Sequence, residues 1–152
     1  MTWAGLGTSS GQAGILRNMS EARERPVALS AWHRIVETKD SALLADLLAD
    51  DVVFRSPAVF APQDGKAITT VYLTAALDVL GPTLRYLHEW HDDTSAVLEF
   101  EADLDGTVLH GVDMLRWDDD GKLTNFTVMV RPKRGLDELI PRMAERLVAA
   151  QR

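Results

Sequence analysis

Two periodicities divide the chain. Between Pro26 and Gly81 apolar residues recur three and four positions apart, whereas from Leu84 to Val130 they alternate with polar ones. The first spacing lines one face of a helix and the second one face of a strand. Leu29, Trp32, Ile35 and Val36 predict an amphipathic helix ending near Lys39, and Asp40 and Ser41 are N-cap residues for a second helix carrying Leu43, Leu44, Leu47 and Leu48. "DDVVFRSP" reads as a strand stopped at Pro57, and Ile68, Val71, Tyr72 and Ala75 mark a third helix between Asp64 and Gly81. Then "LRYLHEWHDD", "SAVLEFEADLDG", "TVLHGVDMLRWDDDG" and "KLTNFTVMVRP" predict four strands joined by acidic or glycine turns, an antiparallel meander. A closing helix aligns Leu136, Ile140, Met143 and Leu147, with Pro141 kinking it or starting its regular part.

The opening "MTWAGLGTSSGQAGILRNMS" holds four of the ten glycines and no sustained period. The expected organisation is therefore a flexible extension over residues 1–25, with Met19 as a candidate native start, and one α+β domain over residues 26–152. At 152 residues and 46% hydrophobic content the chain can bury a core.

Charge and composition narrow the partners. A formal charge of −7, from 16 Lys and Arg against 23 Asp and Glu, disfavours nucleic acid and anionic membranes. With no cysteine there is no disulfide, thiolate nucleophile or Cys-ligated zinc. No apolar run approaches the length of a membrane span, and the N-terminus lacks the basic-then-apolar order of a signal peptide, so a cytoplasmic protein is expected.

One position breaks the alternation. Leu109, Gly111, Asp113, Leu115 and Trp117 share one face of the third meander strand, and Asp113 is the only carboxylate on it. A carboxyl on an apolar face has its pKa raised by desolvation and can act as a neutral donor or, once ionised, as a base. The alternative is a core polar group satisfied by the backbone or by Trp32. By the same alternation Leu84, Tyr86, His88 and Trp90 share a face, which makes His88 the candidate second catalytic group, histidine being the side chain that titrates nearest neutrality. If that face is the outer one, His88 is a surface residue instead. His110 falls on the face opposite Asp113, and His33, about 100° around its helix from Trp32, is expected to be exposed. "WHDD" and "WDDDGK" lack the spacing of a calcium loop or of a His and carboxylate triad and read as solvated turns, so no metal is expected.

The order of elements resembles the nuclear transport factor 2-like (NTF2-like) superfamily, which includes ketosteroid isomerases, limonene epoxide hydrolases and SnoaL-like polyketide cyclases. "ETKDSALLADLLADDVVFRSP", "GVDMLRWDDDGKL" and "VMVRP" carry the likeness, which covers roughly residues 27–149 and is nearest to SnoaL-like proteins of undefined activity. The resemblance implies a cone-shaped roll: a strongly curved antiparallel sheet around the N-terminal helices, with a C-terminal helix. It places Asp113 where ketosteroid isomerases hold a protonated acid that donates to the substrate oxyanion. Ser56 stands where they keep the general-base aspartate, and Trp32 where they keep a tyrosine, so the pocket is implied without the isomerase chemistry. A serine without a base does not abstract a proton near neutrality, and an indole N–H only donates. The cyclases' carboxylate on the last long strand is replaced by an inward face of Phe126, Val128 and Val130, and the epoxide hydrolases' arginine by Gly111 or His110.

Together these readings predict an apolar pocket for a small oxygenated hydrophobic molecule. Asp113 and His88 are its candidate catalytic residues, Trp32, Phe54, Phe60, Leu115 and Val128 shape it, and Ser56 hydrogen-bonds a ligand oxygen. Gly111 is expected to leave room beside Asp113. A cofactor-free isomerase, cyclase or hydrolase is the leading function, and a non-catalytic binder or dimeric scaffold the alternative. Val112, Met114, Leu123 and Met129 alternate outward and predict a homodimer packed sheet to sheet.

Overall fold

The structure, a computed structural model, describes residues 24–152. The predicted extension and the candidate start at Met19 lie outside the described residues, apart from Glu24 and Arg25. Helix α1 spans Val27–Thr38, buries Ala28, Leu29, Trp32 and Ile35, and ends on Lys39 in the left-handed region (φ 56). The second predicted helix is only a 3-10 turn, Ser41–Leu43, capped by the Asp40 side chain, and one α turn, α2 (Leu44–Leu47). Leu48, expected in that helix, instead begins strand β1 (Leu48–Arg55). A two-residue strand β2 (Gln63–Asp64), not foreseen, folds back on β1 before helix α3 (Lys66–Leu80).

The meander is present as β3 (Arg85–His91), β4 (Ser95–Leu104), β5 (Thr107–Trp117) and β6 (Leu123–Arg131), each antiparallel to the next. Strand β1 joins this sheet parallel to β6, so the six strands run in the order β2-β1-β6-β5-β4-β3 and the sheet is mixed rather than wholly antiparallel. It is curved and unclosed, the α+β roll expected from the sequence. Helix α4 spans Lys133–Ala149; it begins well before Pro141, so the proline lies within it and does not start it.

The core has two parts. One, under α1 and α2, gathers Leu29, Trp32, Leu44, Phe54, Leu98, Leu115 and Phe126. The other, under α4, gathers Leu80, Phe100, Leu104, Leu109 and Leu139. Tyr86 and Val128 pack against both. Helix α4 approaches β5 closely because Gly135 has no side chain there: a Cβ would lie 2.8 Å from the Cβ of Leu109. None of the helices among the described residues is long and apolar enough to cross a membrane.

Candidate functional site

Where the two parts of the core meet, the sheet and helices leave a cavity of about 180 Å³. Its walls come from α1 (Trp32, Val36), β1 and the segment after it (Phe54, Ser56), α3 (Tyr72, Leu77), the strands (Tyr86, Phe100, Phe126, Val128) and α4 (Leu139, Met143). Asp113 is the only charged side chain in the lining among the described residues. It sits on the inner face of β5, paired with Leu98 of β4 and Val128 of β6, and is 5% exposed.

Burial in this apolar setting raises the Asp113 pKa from 3.8 to about 7, and a hydrogen bond from Tyr86 counteracts part of the rise. The Tyr86 hydroxyl donates to Asp113 Oδ2 at 2.6 Å, and Trp32 Nε1 donates to the Tyr86 oxygen at 2.8 Å. Burial, with the Asp113 carboxylate beside it, pushes the Tyr86 phenol well above its ordinary range, so this tyrosine keeps its proton. The sequence suggested Trp32 itself as the donor to Asp113; Tyr86 intervenes between them.

Of the candidate ligand-binding residues, Trp32, Phe54, Ser56 and Val128 lie in the cavity lining. Three other candidates do not. Phe60 is fully exposed beside a shallow outer groove with Val59, Pro62 and Met129. Leu115 is buried in the core beside the cavity and takes no part in its lining. His88 points away from Asp113: its side chain is 67% exposed, and its Nδ1 bonds Glu99 Oε2 at 2.7 Å. The cause is a β-bulge between Tyr86 and His88. Tyr86 pairs with Phe100 and His88 with Glu99, so Leu87 is an extra residue that reverses the alternation beyond it.

Glu99 also accepts from His110 Nε2 at 2.6 Å, which puts His110 on the outer face, as alternation predicted. The bulge turns Glu89 inward in place of His88, and its carboxylate holds Arg25 at 3.1 Å and His33 at 2.5 Å. His33, expected to be exposed, is thus half-buried, with its ring edge-on to Tyr86 at 5.4 Å.

Gly111 does not leave room beside Asp113. A Cβ there would lie 2.6 Å from the ring of Phe100 and 2.5 Å from the Met129 carbonyl oxygen, so the missing side chain admits Phe100 and the neighbouring strand. Leu123, assigned to the outer face, is fully buried: a register shift between Arg116 and Trp117 pairs it with the inward Trp117. Asp92 and Asp118, in the two acidic turns, accept backbone N–H groups of their own turns. No cluster of His, Asp and Glu suited to a metal ion occurs among the described residues.

The residue missed by sequence reasoning is Tyr86. Its signal is the alternation that places it on the inward face with Leu84.

The sequence matches the SnoaL-like domain family over residues 29–126. Among solved structures, a steroid delta-isomerase from Pseudomonas aeruginosa is 37% identical, with a TM-score of 0.77, over 82% of this chain and 91% of that one. A conserved bacterial protein with a cystatin-like fold from Silicibacter pomeroyi DSS-3 is 23% identical, with a TM-score of 0.76, over 82% of this chain and 87% of that one. A Mycobacterium tuberculosis protein in complex with estradiol-17beta-hemisuccinate is 20% identical, with a TM-score of 0.55, over 71% of this chain and all of that one. No curated protein matches the chain.

Proposed function

Because the chain belongs to the SnoaL-like domain family, we propose that its cavity receives a small, apolar, oxygen-bearing molecule and that Asp113 exchanges a proton with it. One observation carries the reading: a carboxyl whose pKa burial pushes up to about 7, on the wall of a cavity with no other charged side chain among the described residues. A pKa raised toward neutrality is the condition under which one group both takes and returns a proton with little driving-force cost. Similarity to a steroid delta-isomerase at 37% identity supports an apolar ligand and chemistry by proton transfer.

The steps follow from the residues in the lining. Ionised Asp113 removes a proton from a carbon next to a ligand carbonyl, and the electron pair moves onto the carbonyl oxygen. Where a carbon–carbon double bond adjoins that carbon, returning the proton to the far end of the resulting dienolate regenerates the carboxylate and brings the double bond into conjugation with the carbonyl. Ser56 supplies the donor toward the ligand oxygen: its Oγ accepts the Ala58 N–H at 3.1 Å, which leaves the hydroxyl hydrogen for the cavity. No cofactor takes part in this scheme.

A non-catalytic binder is the second reading, favoured by the absence of any His, Lys, Arg or second carboxylate from the lining. A bicyclic apolar ketone, 1-decalone, separates the two. Binding is read from Trp32 fluorescence and proton transfer from deuterium uptake beside the carbonyl in D2O. Uptake with the natural protein and none with Asp113→Asn supports catalysis. Binding without uptake above the protein-free rate makes the protein a binder. Failure of decalone and of the matching alcohol to bind at millimolar concentration overturns the pocket reading.

A further inference from the structure

Asp113 has two oxygens, and the structure treats them differently. Oδ2 accepts from Tyr86, whereas Oδ1 has no hydrogen-bond partner among the described residues. The direction of the chain from Trp32 to Asp113 is fixed by what each group can do. An indole N–H donates and cannot accept, so the Tyr86 oxygen is the acceptor of that bond. The phenol has one proton of its own, and the only acceptor within its reach among the described residues is Asp113 Oδ2. Were the Asp113 proton to sit on Oδ2, the phenol would be left with the poorly accepting hydroxyl oxygen of the acid in place of a strong acceptor.

We propose that Tyr86 is the positioning residue of the site: by holding Oδ2 with its hydroxyl proton, and held in turn by Trp32, it confines the exchangeable proton of Asp113 to Oδ1. The inference rests on the reading of Asp113 as the proton-exchanging group and adds which atom exchanges and what selects it. Oδ1 is then both the donor of the neutral acid and the base of the ion, and a ligand meets the same atom in either state. The phenol also supports the ion, since a hydrogen bond to a carboxylate is stronger than one to its neutral acid.

The surroundings leave little else to do this. No charged side chain from β1, β4, β6, α3 or α4 lines the cavity. Glu89, whose charge acts on Tyr86, is engaged by Arg25 and His33. A purely structural role for Tyr86 would be met by its ring, packed edge-on to Phe100 at 6.4 Å and to His33, without its hydroxyl.

The test separates ring from hydroxyl. The Asp113 carboxyl carbon is followed by NMR across pH in the natural protein, in Tyr86→Phe, and with 3,5-difluorotyrosine at position 86. The chain has two tyrosines, so a Tyr72→Phe background confines the fluorinated residue to position 86. Tyr86→Phe keeps the ring and is expected to raise the Asp113 midpoint by about one pH unit or more. The more acidic difluorophenol is a stronger donor and is expected to lower the midpoint below that of the Tyr72→Phe parent.

An unchanged midpoint in Tyr86→Phe overturns the proposal, as does a rise with both changes, which would reflect packing alone. These titrations need no ligand. If deuterium uptake by decalone is the same with the natural protein and with Asp113→Asn, the functional reading of Asp113 fails while the titration series still decides the role of Tyr86.

Discussion

Replacing Asp113 by Asn turns the buried carboxyl into a stability measurement. Asparagine has nearly the same shape and keeps an oxygen to accept from Tyr86, but it does not titrate. In the natural chain the folded-state value of about 7 stands above the ordinary 3.8. Between those limits the folded protein holds a proton that the unfolded chain has released. Stability changes with pH in proportion to protons bound unfolded minus protons bound folded, which is negative here, so the natural protein loses stability as pH rises. The contribution is fully present below about pH 4, falls by about 1.4 kcal/mol per pH unit, and levels off above about pH 7. A span of about three pH units amounts to about 4 kcal/mol. Urea denaturation of both proteins from pH 4 to 9 isolates this term, because the other titrating groups are common to both and cancel in the difference. The expected result is a natural-minus-Asn difference that declines from about pH 4 to about pH 7 and is flat above it. A difference independent of pH would show that Asp113 is not desolvated. One that grew with pH would show a carboxylate stabilised as the ion, and either result would refute the reasoning.

Three further outcomes follow from the placement of residues. Gly111→Ala, which drives a Cβ against the Met129 carbonyl and the Phe100 ring, is expected to destabilise the fold by about 1–3 kcal/mol in urea titrations. His88→Ala is expected to leave decalone binding unchanged in the fluorescence assay, because the imidazole faces outward onto Glu99; a tenfold loss would restore His88 to the site. We propose that the outer sheet face pairs two copies of the chain through Val112, Met114 and the half-exposed Met129, with Leu123 removed from that surface by its burial. Light scattering at micromolar concentration is expected to give a dimeric mass for the natural protein and a monomeric one for Met129→Glu, and a monomeric natural protein would refute the pairing.

The elements were legible because each carries its periodicity openly. Leu29, Trp32 and Ile35 repeat on a helix, and the stretch from Val108 to Trp117 alternates without interruption, so the inward placement of Asp113 follows from counting by two. What local pattern hid was chain folding over long separations. The parallel pairing of β1 with β6 joins Phe54 to Phe126, and the brief return of β2 onto β1 leaves no periodic trace in two residues. Lining residues were found where a strand's face decided the matter, as for Phe54 and Val128. Where a loop's path decided it the reading placed a residue wrongly, as for Phe60, which lies outside the cavity.

The two misplacements on strands, His88 and Leu123, have one cause. Alternation assigns faces only while each residue has one partner, and a bulge adds a residue that resets the count without leaving a mark such as Gly or Pro. In β3 this reset is what builds the site. Without the extra Leu87, the inward Tyr86 would be followed inward by His88 and Trp90, and Glu89 would face outward. With it, Glu89 turns toward α1 and engages Arg25 and His33. The helix so attached carries Trp32 to the Tyr86 hydroxyl, and that hydroxyl reaches Asp113. The irregularity that removed the expected histidine from the cavity thus places the tyrosine's support, and a strand of perfect alternation would have put the His88 imidazole inward in place of the Glu89 carboxylate that now holds the helix.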